Sequence, residues 1–360
     1  MRRFGPCLVV RLFLAFCLCL ICFSGCDSGD RQPPTKKIQT EETGGRTSSS
    51  PEKKRVLFVN SYHRGYQWSD GIGNAICQFF HIPASDIAAN NEAVGDVLLK
   101  IVYMDSKRQQ SETYLQKKGL EVKKLIEAWQ PDVVITSDDN AAKYVIVPYF
   151  KGDAIPFVFC GINWDCSEYG LPTINVTGIL EVQLIDELLK YLRALAAGPR
   201  IGFLKGDDRS ARKEAEFYEQ RFNIDLDKRF VTNFTEWRQQ YLALQEEVDL
   251  LLLGNAASIR DWDSVAAKKL VNEHSRIPSG NWDVWMAPYA LITFATKPEE
   301  QGTWAAKTAS KILSGKSPAS IPVTQNVVAH VVLNMELAKR MGVKLPVSLI
   351  EHAEFVGNIQ

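Results

Sequence analysis

Short apolar runs alternate with amphipathic stretches from residue 55 onward, and the alternation sets the expected elements. Residues 56–59 are continuously apolar and lead into a polar loop over 60–70; a helical pattern follows over 69–80. A strand is expected at 98–104. A helix is expected at 112–129, where Leu115, Val122, Leu125, Ile126 and Trp129 recur at helical spacing until Gln130-Pro131 stops it. Residues 132–136 read as a buried strand, and Ser137-Asp138-Asp139-Asn140 as the capping cluster that opens the next helix. Strands follow at 157–160 and 176–180. The pattern then restarts. Leu184, Ile185, Leu188, Leu189, Leu192 and Leu195 form one helical face, ended by Gly198-Pro199. Strands at 200–204, 229–232 and 248–253 alternate with helices at 210–222, 235–247 and 262–273. Strand-like pieces at 284–286 and 291–296 precede a late helix at 299–313.

Two β-α-β-α series in one chain predict an α/β protein with two lobes, each a parallel sheet flanked by helices. Ligands of open parallel sheets lie beyond the carboxyl ends of the strands, so two such lobes define a cleft between them.

The amino end has a different pattern. Arg2, Arg3 and Arg11 precede an apolar run over 12–23, which stops at Ser24-Gly25-Cys26. Cationic start, short apolar centre and small residues are the parts of a secretory signal. The rival, a membrane anchor, needs ~20 apolar residues. Phe23-Ser24-Gly25-Cys26 resembles the lipobox of bacterial lipoproteins, with Phe23 in place of the usual Leu; the resemblance implies a signal peptide at 1–25 and lipid on Cys26. Residues 26–54 hold Ile38 as their one large apolar side chain and read as a flexible tether.

Composition narrows the rest. Removing 1–25 takes away three arginines and turns 42 basic against 42 acidic into 39 against 42. No basic block suggests nucleic acid, and no second apolar run is long enough to span a bilayer. Of eight cysteines, Cys77, Cys160 and Cys166 remain in the body. Cys160 and Cys166 could bridge in an oxidising compartment, whereas Cys77 fits a helical apolar face.

Several strings carry a family resemblance. Pro156-Phe157-Val158-Phe159-Cys160-Gly161-Ile162-Asn163, followed by Asn175-Val176-Thr177-Gly178-Ile179, resembles the signature region of one family of ABC-transporter substrate-binding proteins. That family includes tryptophan- and tyrosine-type binding lipoproteins. The passages 186–204, Lys311 to Pro322 and Asn334 to Pro346 are similar to further strings of the same family in the same order. The resemblance implies a type I periplasmic binding fold with three crossovers. Lobe one would be 55–176 plus 297–325, and lobe two 177–296 plus 326–360. The loop 60–68, rich in aromatic residues, resembles a subgroup some of whose relatives serve sensory systems.

Candidate ligand groups follow from their positions after strands. Ser61, Tyr62, His63, Tyr66 and Trp68 follow the first strand, where aromatic walls suit a small ligand or else pack the loop base. Ser137, Asp138 and Asp139 begin a helix, where an acid either caps the helix or accepts a ligand ammonium. Asn163 and Trp164 end the fourth strand. Asp207, Asn255 and Trp282 follow strands of lobe two, and capping competes as the role of Asp207 and its neighbour Asp208.

Enzyme signatures are missing from the sequence: no G-x-S-x-G, H-E-x-x-H or P-loop is present, and Gly71-Ile72-Gly73 lacks a third glycine. His63, His81, His274, His330 and His352 show no metal-ligand spacing, so neither metal nor cofactor is expected. Three functions remain open. The first is a lipid-anchored, extracytoplasmic receptor that captures a small molecule, an amino acid or aromatic compound, for an ABC permease in the inner membrane. The second is a receptor of the same fold that signals to a membrane sensor kinase. The third is a hydrolase using the cleft carboxylates.

Overall fold

The computed structural model describes residues 53–356. The expected signal peptide, Cys26 and the expected tether up to residue 52 lie outside the described residues. In chain order the first series is β1 (Arg55–Asn60), α1 (Gln67–Phe79), α2 (Ala84–Asn90), β2 (Glu92–Val94), β3 (Leu98–Tyr103), α3 (Glu112–Trp129), β4 (Val133–Ser137), α4 (Asp138–Ala141), β5 (Phe157–Asn163) and β6 (Val176–Glu181). A π-helical stretch, Ala142–Phe150, continues α4. The second series is α5 (Ile185–Leu195), β7 (Ile201–Gly206), α6 (Arg209–Phe222), β8 (Leu226–Val231), α7 (Phe234–Glu247), β9 (Leu250–Leu253), α8 (Ser264–His274), β10 (Ser279–Asn281) and β11 (Ile292–Thr296). The described chain closes with α9 (Pro298–Leu313), β12 (Thr324–Gln325), β13 (Ala329–Leu333), α10 (Met335–Met341), α11 (Val347–Ile350) and β14 (Glu354–Phe355).

Local chemistry sets the helix ends. Ser111 accepts from Tyr114 N at the start of α3, and Gln130 in the left-handed region ends it just before Pro131. Pro298 begins α9, where its missing N–H costs nothing.

The first sheet has the order β12-β6-β5-β4-β1-β3-β2 and the second β14-β13-β11-β10-β9-β7-β8. Numbered by appearance within each lobe, with the antiparallel edge strand β2 left out, the central strands of both run 2-1-3-4-5. β2 pairs antiparallel with β3 at one edge, and β13 pairs antiparallel with β11. The chain crosses between sheets three times, after β6, β11 and β12. This is the type I periplasmic-binding fold. In such sheets the ligand crevice lies at the switch point, here between β1 and β4 and between β7 and β9.

Helices cover both faces of the first sheet, so β1 and β4 are buried almost throughout and read as unbroken apolar runs. Alternate residues of β1 feed two cores: Val56 and Phe58 join Ile72, Ile76 and Ala305, whereas Leu57 and Val59 join Val122, Ile126 and Phe157. Cys160 belongs to the first core and Cys166 to the second. Both thiols are free, so the bridge weighed from sequence is not formed.

Two expectations need correction. A lobe boundary at 176 cuts through β6, which pairs with β5 as far as Asn163 opposite Glu181; the crossover starts only after Glu181. Residues 284–286 are not a strand but part of a 3-10 turn, Val284–Tyr289, which contains Pro288. The strand is Ser279–Asn281, a polar run without an apolar signal. Gly280 is required there because a Cβ would stand 2.7 Å from Leu188 Cδ1. Residues 326–360 also include β13 and β14, which extend the second sheet.

Candidate functional site

The crevice of the first lobe is built where β1 and β4 end side by side. Ser61 is fully buried. Its hydroxyl donates to Ser137 O and accepts from Ala141 N at 2.9 Å, while its N–H donates to Ser137 Oγ at 3.4 Å. Ser61 and Ser137 therefore lock the two strand ends to the start of α4. Ser106 and Asn140 extend the lock: Asn140 Nδ2 donates to Ser106 Oγ at 2.8 Å, and Ser106 Oγ donates to Ser61 O at 2.8 Å.

Asp138 sits on top of this lock. Its φ is +64°, an uncommon conformation for a side-chain-bearing residue. Its side chain does not cap α4. Oδ1 accepts from Trp68 Nε1 at 2.8 Å, and Oδ2 is buried with no hydrogen-bond partner. Asp138 is 2 % exposed. Burial raises its pKa to about 7, against the pull of the hydrogen bond from Trp68; the Asp139 charge raises it further. Gly161 makes room for the carboxylate. It has φ +70°, and a Cβ there would stand 3.1 Å from Asp138 Oδ1.

Asp139 is held differently. Asn163 Nδ2 donates to Oδ2 at 2.6 Å, and the Tyr169 hydroxyl donates to Oδ1 at 2.9 Å. Glu181, at the end of β6, accepts from Thr296 Oγ1 at 3.1 Å. Burial, then the Asp138 charge, raises its pKa to about 8. The Tyr62 phenol is pushed far up by burial and by Asp138, Glu181 and Asp139.

The aromatic loop folds over these acids. Tyr62 and Tyr66 meet edge to face with centroids 5.2 Å apart, and His63 lies 5.7 Å from Tyr66. His63 Nδ1 faces Asp105 Oδ1 at 3.7 Å. The Lys107 ammonium stands 4.4 Å from the Tyr62 ring centre and 5.4 Å from that of Tyr66. Trp68 packs against the first core, which is the packing role weighed for it, and its indole also bonds Asp138.

Trp164 leaves β5 in the left-handed region, at φ +61°, and its N–H donates to Glu181 O at 2.9 Å. Its ring reaches the second lobe, 4.4 Å from Phe217 and 5.7 Å from Tyr218. The other second-lobe candidates are more dispersed. Asp207 pairs with Arg212 at 2.7 Å. Its neighbour Asp208 caps α6, accepting from Ala211 N at 2.7 Å. Asn255 Nδ2 donates to Asp283 Oδ2 at 3.2 Å, and burial raises the Asp283 pKa. Trp282 is buried in the core of the second lobe between Phe203 and Tyr218.

The structure thus joins Tyr62, Tyr66, Trp68, Asp138, Asp139 and Asn163 into one cluster and adds Glu181, Lys107 and Tyr169, which the sequence reading missed. Glu181 had a usable signal: an acid directly ending the buried strand Val176–Glu181. Among the described residues, no group of three or more His, Cys, Asp or Glu is arranged to hold a metal ion.

Two such sheets, joined by three crossovers and with a cluster of buried polar groups at the switch point of the first, define the architecture of a bilobal solute-binding protein. The chain belongs to the ABC transporter substrate binding protein family, which matches residues 90–356. The family is one of binding proteins, not enzymes. A ligand-free, open substrate-binding protein with adhesive properties from Clostridium difficile is 16% identical, covering 84% of this chain and 98% of that one, with a TM-score of 0.62. An ABC domain from Streptococcus pneumonia in complex with L-Trp is 18% identical over 84% of this chain and 99% of that one, with a TM-score of 0.51. At these identities the likeness shows the fold. No curated protein matches the chain.

Proposed function

We propose that this chain is a lipid-anchored receptor on the outer side of the cytoplasmic membrane. It captures a small solute, an amino acid or an aromatic compound, between its lobes and hands it to an ABC permease. The buried Asp138 carboxylate at the switch point carries the reading, because one of its oxygens has no hydrogen-bond partner. Such a group is costly unless something pairs with it. The aromatic side chains beside it offer contact area to a small ligand. The L-Trp held by the streptococcal relative supports a solute of amino-acid size. The sequence around Cys26 supports the anchor.

A thermal-shift screen of amino acids, amines, nucleobases and organic acids tests the receptor, since a ligand of the native state raises the melting temperature. A solute that binds wild type but not Asp138→Asn supports the crevice as its site. Equal binding to both excludes it. Cys26→Ser should release the protein from the membrane fraction, and wild type found in the aqueous phase of a detergent separation refutes the anchor.

A further inference from the structure

The first-lobe crevice presents three carboxylates and an ammonium. Asp138 and Asp139 open α4, Glu181 ends β6, and Lys107 reaches in from the loop after β3. The partnerless Asp138 Oδ2 is an acceptor aimed at a donor or a positive charge. The exposed Lys107 side chain places its ammonium against the Tyr62 and Tyr66 rings, 4.4 and 5.4 Å from their centres. Aromatic faces attract cations. Its charge also acts on Asp138 and Glu181. A cation of the protein's own therefore already stands against the aromatic loop, and its charge is felt by the acids beyond.

We infer that the crevice selects an organic cation, an amine or quaternary ammonium on an aromatic or apolar body without a carboxylate, whose positive centre takes the place of the Lys107 ammonium against Tyr62 and Tyr66 and meets the partnerless oxygen of Asp138. This rests on the receptor reading above and narrows its ligand. A zwitterionic amino acid brings its own carboxylate into a crevice already rich in them. A metal ion is disfavoured by geometry, since no group of ligating side chains among the described residues is arranged for one.

Proton exchange accompanies such binding. The groups around Asp138 are Tyr62 from the loop after β1, Lys107 from the loop after β3, Asp139 on α4, Cys160 on β5 and Glu181 on β6. With Asp138 at about 7 and Glu181 at about 8, both are largely protonated in mild acid. A cation binds their ionised forms, so protons leave as it enters and affinity rises as pH climbs through about 7 and about 8.

Calorimetry on the full chain with tryptamine, choline and L-tryptophan, at about pH 6 and about pH 8.5, tests the inference. Tryptamine or choline should bind about tenfold or more tighter than L-tryptophan, and tighter at the higher pH, with proton release. Asp138→Asn should weaken the amine about tenfold or more. Lys107→Gln is the deciding variant. It removes the competing cation and should tighten the amine several-fold, whereas a lysine that held a ligand carboxylate would weaken L-tryptophan when lost. Tighter binding of L-tryptophan, weakened by Lys107→Gln, overturns the cation and leaves the receptor standing. Failure of both cationic probes beside binding of any other screened solute does the same. If no screened solute binds, both readings fall.

Discussion

Asn326 and Val182, 144 positions apart, hold two crossovers together: Val182 N donates to Asn326 Oδ1 at 2.7 Å, and Asn326 Nδ2 donates to Val182 O at 3.0 Å. Asn326 is fully buried. Its amide copies one rung of a β-ladder and ties the first crossing of the chain to the third.

Asn326→Ala should therefore be destabilising. It leaves a buried N–H and a buried C=O of Val182 without partners, and a loss of ~2–4 kcal/mol is expected. Urea unfolding measures it, and a loss below ~1 kcal/mol means that water replaces the amide.

Trp68→Phe keeps an aromatic body against the first core and removes the donor to Asp138 Oδ1. Because that bond pulls the Asp138 pKa down, its loss should move the value further up. Stability should fall by ~1–3 kcal/mol, as a buried acceptor loses its partner. Carboxyl-carbon NMR titration reads the pKa, and a downward shift contradicts the assignment.

Gly161→Ala puts a methyl group 3.1 Å from Asp138 Oδ1 in a residue held at φ +70°. The left-handed backbone alone should cost ~1–2 kcal/mol. The same change crowds the carboxylate, so solute affinity should drop together with stability. An unchanged affinity would show that the Asp138 carboxylate takes no part in binding.

The ligand-free chain should be less stable at pH 8.5 than at pH 5.5, by several degrees in melting temperature (about 2–4 °C per kcal/mol for a large domain). Asp138 at about 7 and Glu181 at about 8 hold protons when folded that ordinary carboxylates, at 3.8 and 4.5, have lost when unfolded. The folded state thus binds more protons between about pH 4 and about pH 8, and stability falls as pH rises through that window. Asp105, Asp132, Asp208, Asp227 and Asp249 have lowered values and lose their contributions only in stronger acid. Asp138→Asn should flatten the profile, and a wild-type melting temperature that rises with pH across this window contradicts the raised values.

The layout of the lobes was legible because buried parallel strands write themselves as continuous apolar runs: Leu250–Leu253 is a plain example. α3 was readable to its last residue because its apolar spacing ends at Gln130-Pro131. β10 escaped because Ser279, Gly280 and Asn281 carry no apolar signal, yet the strand is fully buried beneath Leu188 and Leu192. The cluster was half legible for a related reason. Strand ends are visible in sequence, so Asp138 and Trp68 could be named. That Trp68 bonds Asp138 across 70 positions depends on the pairing of β1 with β4. Lys107 and Glu181 join through the pairings of β3 with β1 and β6 with β5, which no local pattern records.

Glu181 also stands at a mechanical position. It ends the strand before the first crossover, and its partner Thr296 ends the strand before the second. The bond between them lies at the pivot rather than within either jaw. A proton gained or lost there changes the strength of a contact across the axis about which the lobes turn. The acidity of the surroundings thus bears on a contact between the first two crossings of the chain, apart from any solute.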